Sequence, residues 1–187
     1  EGLTFDFVGH KLGGTGGELH NMTQTVENLQ AALAWYRNTV PAERIVLVGH
    51  SMGAVAVLRT AIQEVASPVS PPIAGVACLC MGVEPHIGFQ SVVGRTMQSQ
   101  RAAYVQGAPV AELSAQLGSL LPTAQEIGGL PALFVAAQQD VLFSVERVER
   151  LASLAGRNTQ VMQIEASHQD APDKSKSVLL KWLSELS

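Results

Sequence analysis

The sequence of 187 residues has only two cysteines, Cys78 and Cys80. They lie two apart in a probable buried strand, which points them the same way and leaves them too close in sequence to bridge comfortably. Free buried thiols fit a reducing compartment such as the cytoplasm. A C-x-C pair without a matching His or Cys cluster does not make a metal site. Charge is also scarce: 12 Lys and Arg stand against 16 Asp and Glu, for a net charge of -4. Without a basic cluster, neither nucleic acid nor an anionic membrane is an expected partner. No apolar run reaches the length of a membrane span. The glycines of Gly9 to Gly17 follow a predicted strand but do not fall as G-x-G-x-x-G. No acidic residue ends a second strand at the required distance, so a dinucleotide site is not expected.

What the chain does have is a regular alternation of strand and helix signals without internal repeats. Leu3 to Val8, Ile45 to Val48, Ile73 to Met81, Leu133 to Ala137 and Gln160 to Glu165 read as strands. Met22, Val26, Leu29, Leu33 and Tyr36 share one helical face, opened by the capping-box spacing of Asn21 and Gln24. Ala54 to Val65 reads as a helix, as does a stretch after Ser144 that ends at Gly156, and Leu179, Trp182, Leu183 and Leu186 mark a closing helix. The expected fold is therefore α/β: one domain over residues 1–187, with a mostly parallel sheet and helices on both faces. Residues 82–129 break the alternation with helical pieces whose apolar positions are Phe89, Val92, Val93, Met97, Tyr104, Leu113, Leu117, Leu120 and Leu121. That segment reads first as a cap over a site and second as a longer crossover.

The strongest local signal is Gly49-His50-Ser51-Met52-Gly53, directly after the strand Ile45-Val46-Leu47-Val48 and before a helix. A G-x-S-x-G pentapeptide at a strand-to-helix turn forces its central residue into strained backbone and pushes Ser51 Oγ outward. Two glycines at this spacing are expected to remove Cβ atoms that would clash with neighbouring elements. A serine hydroxyl needs a base, and the base needs a partner to fix its tautomer. Asp140 and His168 each follow a strand, in the order Ser, Asp, His that this motif class uses. His50 is too close in sequence to Ser51 to turn back to it. His10 and His86 read as surface histidines first and substrate contacts second, and His20 precedes a helix. Asp173 reads as a helix cap, Asp170 shares the loop of His168, and Asp6 lies within a strand.

These segments resemble the α/β-hydrolase fold, in its single-domain esterase-like group. Phe5-Asp6-Phe7-Val8-Gly9-His10 resembles the family's strand and loop, Gly49 to Gly53 its elbow, Asp140-Val141-Leu142-Phe143 its acid loop and Ser167-His168 its histidine loop. The resemblance implies Ser51 as nucleophile, His168 as general base and then acid, Asp140 as orienting carboxylate and the Met52 N–H as one oxyanion donor. It implies hydrolysis of a small-molecule ester or thioester without metal or organic cofactor, and the apolar cast of residues 82–129 suggests that the substrate has an apolar portion. A non-catalytic homologue that binds a ligand or partner is the alternative. Family members ordinarily carry further strands before the one at Leu3, and a loop after one of them gives the second oxyanion N–H. One of those strands would lie between the Leu3 and Ile45 strands, so a gap in the sheet is expected there, as in a fragment or a sheet that closes differently.

Overall fold

A computed structural model describes residues 1–10, 14, 16–120 and 124–186. Lys11, Leu12, Gly13 and Thr15 of the glycine-rich loop, and Leu121 of the helical segment, lie outside the described residues. Four strands form one parallel sheet in the order β1-β2-β3-β4: β1 (Ile45–His50), β2 (Ile73–Leu79), β3 (Ala132–Gln139) and β4 (Thr159–Ser167). Parallel pairing with helical crossovers covers both faces, which is why β2 and most of β3 are apolar at successive positions. Alternate residues face opposite layers. Val76, Cys78, Phe134 and Ala136 pack on one side, with Val55 and Leu58 of α2 (Met52–Ala66) and Val148 and Leu151 of α6 (Val145–Leu154). Ala77, Leu79, Leu133 and Val135 pack on the other, against Trp182 of α8 (Lys176–Glu185), which follows the single turn α7 (Ala171–Lys174).

Helix α1 (Thr23–Thr39) buries Val26, Leu29 and Leu33. The reciprocal cap forms as its spacing predicts: Asn21 Oδ1 accepts from the Gln24 N–H at 3.2 Å, and Gln24 Oε1 accepts from the Asn21 N–H at 3.2 Å. Between β2 and β3 run α3 (Pro85–Gln90), α4 (Val92–Arg101), α5 (Val110–Leu120) and a 3-10 turn at Ala124–Ile127. Phe89, Leu113 and Leu117 of this segment join the core, whereas Val92 and Val93 are exposed. The segment is stitched to the beginning of the chain. Gln106 N–H donates to Gly9 O, Leu19 N–H to Gln106 O, and Ala108 N–H to Leu19 O, each at 2.8 Å.

The first expected strand does not form. Residues 1–7 carry no strand, and β1 ends the sheet among the described residues. A cleft of about 780 Å³ separates that segment from β1 and is lined by Phe5, Leu29, Leu33, Ile45, Leu47 and Leu183, among others. A strand is defined by its ladder, and without a neighbour within reach Leu3 to Val8 has none. Phe5 instead packs edge-on to Phe7, and Val8 N–H donates to Asn28 Oδ1 at 2.8 Å. The expected gap is therefore present, but a single extended segment borders it rather than a strand.

The two thiols also depart from expectation. Both are buried and free, but Cys78 joins one core layer and Cys80 the other. Cys80 lies just past β2 with a positive φ of 52°, and this left-handed kink ends the two-residue alternation.

Candidate active site

Parallel strands deliver their carboxyl ends to one rim of the sheet, so the residues that follow them become neighbours. The pairings Gly49 with Cys78, Leu79 with Val135 and Gln139 with Ser167 carry this register across all four strands. Ser51, Cys80, Asp140 and His168 follow those strands.

At the β1–α2 junction, Ser51 has φ 55° and ψ -117°, a conformation held by the elements on either side. Its N–H donates to Leu79 O at 2.9 Å, so the ladder continues into the turn. Gly49 is required there. A Cβ at residue 49 would lie 2.3 Å from Gly53 O and 2.7 Å from Ala54 N. Gly53 is not required for the same reason, since a Cβ at residue 53 meets nothing within 4 Å. It borders the cleft beside β1.

Asp140, His168 and Ser51 form a chain of hydrogen bonds. His168 Nδ1 lies 2.8 Å from Asp140 Oδ2, and His168 Nε2 lies 3.0 Å from Ser51 Oγ. A carboxylate only accepts, so Nδ1 carries the proton and Nε2 presents its lone pair to the hydroxyl. Burial alone would raise the Asp140 pKa. The hydrogen bond and charge of His168, with the N–H groups of Leu142 (2.8 Å) and Phe143 (3.1 Å) on Oδ1, hold it below the usual value. An ionised, buried Asp140 thereby fixes both the ring's tautomer and its orientation. Such a chain can take a proton from Ser51 Oγ as the oxygen attacks an electrophile, and return it to a leaving group. Met52 opens α2, so its N–H is one of the first-turn donors without an intrahelical partner.

The other candidates fall elsewhere. Asp170 accepts from Ser167 Oγ at 2.7 Å, and exposed Asp173 pairs with Lys176 at 2.8 Å. His20 is paired with Glu18 on the surface, and His86 packs near Gly118. His10 is half-buried rather than a plain surface residue. Its Nε2 lies 3.4 Å from the Arg101 guanidinium.

Sequence reasoning passed over Arg147 and Arg101, and read His50 only as unable to reach Ser51. His50 does not reach Ser51, but its Nε2–H donates to the backbone carbonyl of His168 at 2.8 Å, and the two rings stand 4.7 Å apart. Burial, then the neighbouring His168, lower the His50 pKa from 6.5 to about 4, so it is neutral near pH 7. Arg147 donates to Val83 O (3.0 Å), Leu142 O (3.1 Å) and Glu84 O and covers the Phe143 ring, tying the loop after Asp140 to the start of the helical segment. Arg101 approaches the site from α4, with Nη2 3.7 Å from Met52 Sδ. Periodicity carries no signal for contacts of this kind. His50, Cys80 and His168 place ligand-type atoms within 4.8 Å of one another. Both nitrogens of His168 are already engaged with Asp140 and Ser51, and burial raises the Cys80 thiol well above its usual pKa. The trio serves the hydrogen-bond chain better than it would an ion.

No curated protein matches the sequence. Among solved structures, an esterase from Pyrococcus furiosus is 20% identical, with a TM-score of 0.61 over 86% of this chain and 61% of its own. A lipase-esterase related protein from Clostridium acetobutylicum is 16% identical, with a TM-score of 0.65 over 97% of this chain and 82% of its own. An enol-lactonase from Burkholderia xenovorans is 16% identical, with a TM-score of 0.57 over 86% of this chain and 73% of its own. The chain thus spans about three-fifths of the Pyrococcus esterase's length, 61%. At these identities the likeness is one of fold, but the model for the alpha/beta hydrolase family matches residues 1–184, and the chain belongs to that family.

Proposed function

We propose that this chain hydrolyses carboxylic esters or thioesters through an acyl-enzyme on Ser51. The observation that carries the reading is the chain from Asp140 Oδ2 through His168 to Ser51 Oγ, with links of 2.8 and 3.0 Å. Ser51 Oγ bonds to the substrate carbonyl carbon as His168 Nε2 takes its proton, and the Met52 N–H faces the oxyanion. The tetrahedral species collapses, His168 protonates the departing alcohol or thiol, and the acyl group stays on Ser51. Water, deprotonated by His168, then releases the acid and restores the hydroxyl. Residues 82–129 act as a cap within a single domain, and the apolar composition of that segment favours a substrate with an apolar portion. Among the described residues no helix is long and apolar enough to cross a membrane, and the free thiols at Cys78 and Cys80 fit a reducing compartment such as the cytoplasm.

Labelling with a fluorophosphonate probe tests the reading. Wild-type protein is expected to take the label and Ser51→Ala to lose it, with 4-nitrophenyl butyrate turnover lost in parallel. A folded wild-type protein that neither labels nor turns over esters would leave the family's non-catalytic alternative.

A further inference from the structure

Arg101 is held in an unusual way for a half-buried cation. Arg37 meets Glu64 in a two-pronged ion pair, and Arg147 is met by backbone carbonyls. Among the described residues Arg101 has no carboxylate within ion-pair distance; its Nη2 contacts are His10 Nε2 at 3.4 Å and Met52 Sδ at 3.7 Å. The His10 contact has a defined polarity. His10 Nδ1 lies 3.2 Å from Phe7 O and 3.3 Å from Val8 O, so the proton is on Nδ1 and the Nε2 lone pair accepts from Arg101. Both contacts are thus uncharged acceptors, and the thioether is a weak one. A cation withdrawn from water normally has an anion to offset its desolvation. Here no carboxylate among the described residues does so.

The place matters as much as the charge. Met52 supplies both the thioether against Arg101 and the N–H beside Ser51, so the guanidinium stands about one methionine side chain away from the reacting group. A guanidinium fork matches a carboxylate better than any other small anion except phosphate. We infer that a substrate carboxylate pairs with Arg101: the guanidinium, oriented by His10 Nε2, binds a carboxylate that an ester or thioester carries a few bonds from its scissile carbonyl. The inference rests on the hydrolase reading and narrows it to acid-bearing substrates.

Two matched pairs test it at pH 7.5 and low salt: mono-4-nitrophenyl glutarate against 4-nitrophenyl butyrate, and 4-acetoxybenzoate against phenyl acetate. In at least one pair, wild-type kcat/KM is expected to favour the acid-bearing ester by tenfold or more. Arg101→Gln should reduce that ratio by roughly 10- to 100-fold, the range of a charge-assisted contact. Arg101→Lys, which keeps the charge and loses the fork, should retain part of it. Ester turnover in which neither pair shows an Arg101-dependent preference overturns the inference and leaves the hydrolase reading intact. If no ester is turned over, the hydrolase reading fails, and calorimetry on Ser51→Ala protein decides the anion site separately. Monomethyl glutarate binding at least tenfold tighter than methyl butyrate, and lost on adding Arg101→Gln, supports the site. Equal binding of the two overturns it.

Discussion

The ring of His50 holds the main chain of His168: its Nε2–H donates to the His168 carbonyl at 2.8 Å. The residue before Ser51 in sequence therefore fixes the backbone of the residue that faces Ser51 across the site. This ties the β1 turn to the loop after β4 at the opposite edge of the sheet.

The burial of that ring has a pH signature, which the bond to the carbonyl only partly offsets. Burial keeps folded His50 neutral down to about pH 4, whereas an unfolded histidine takes a proton near 6.5. Between those values the unfolded chain binds more protons, so stability falls as pH falls from 6.5 toward 4, by about 2 to 3 kcal/mol. Denaturant melts at pH 7 and pH 5 should show a little under about 2 kcal/mol of that loss, and His50→Gln should flatten it. An unchanged difference in the variant would assign the slope to other groups.

Asp140 predicts a different acid limit. Its folded pKa lies below its unfolded value, so its contribution is present above about pH 4 and is lost as pH drops through the lowered folded pKa. Asp140→Asn should remove that late step and also lower kcat by roughly 10⁴-fold, because an amide that donates to His168 Nδ1 imposes the other tautomer. Ester turnover near wild type in a folded Asp140→Asn protein would move the orienting role to another group.

The glycines of the elbow should behave unequally. Gly49→Ala drives a Cβ to 2.3 Å from a backbone oxygen, and a loss of at least 3 kcal/mol, or failure to fold, is expected. Gly53→Ala finds open space in the first turn of α2, so its thermal midpoint should hold or rise, by up to about 1 kcal/mol in stability. Equal damage from both would mean that residue 53 is crowded after all.

Arg147 should be needed for the loop after Asp140. Arg147→Ala removes donors to the carbonyls of Val83, Leu142 and Glu84 and uncovers the Phe143 ring, for an expected loss of about 1 to 3 kcal/mol. Arg147→Lys should recover little, since one ammonium cannot reproduce the planar set of donors. Chemical denaturation of the three proteins measures both effects.

How much of this was legible in the chain follows from what each feature depends on. Strands β1 to β3 declare themselves by dense apolar runs and β4 by a looser, half-buried pattern, and residues at their ends are neighbours by topology alone. That is why Ser51, Asp140 and His168 could be expected at one rim before their distances were known. Leu3 to Val8 has the same apolar look, but strandness there requires a partner, and sequence does not show whether one is within reach. Gly53 reads as half of a motif, yet a Cβ there meets open space, which the pentapeptide alone does not show. Cys80 turns away from Cys78 because one positive φ interrupts the alternation, and nothing local to Cys-Leu-Cys announces it. Arg101 closes a helix whose pattern is weak, and only the fold brings it to Met52.

The seam joining Gly9, Leu19, Gln106 and Ala108 has a further consequence. Because the chain's opening residues share amide hydrogens with the stretch between α4 and α5, that stretch cannot swing away from the sheet alone. Opening of that stretch would release the protons of Leu19, Gln106 and Ala108 to solvent in one event, so their deuterium uptake should rise and fall together, and Arg101, a few residues before the seam, should leave Met52 at the same moment.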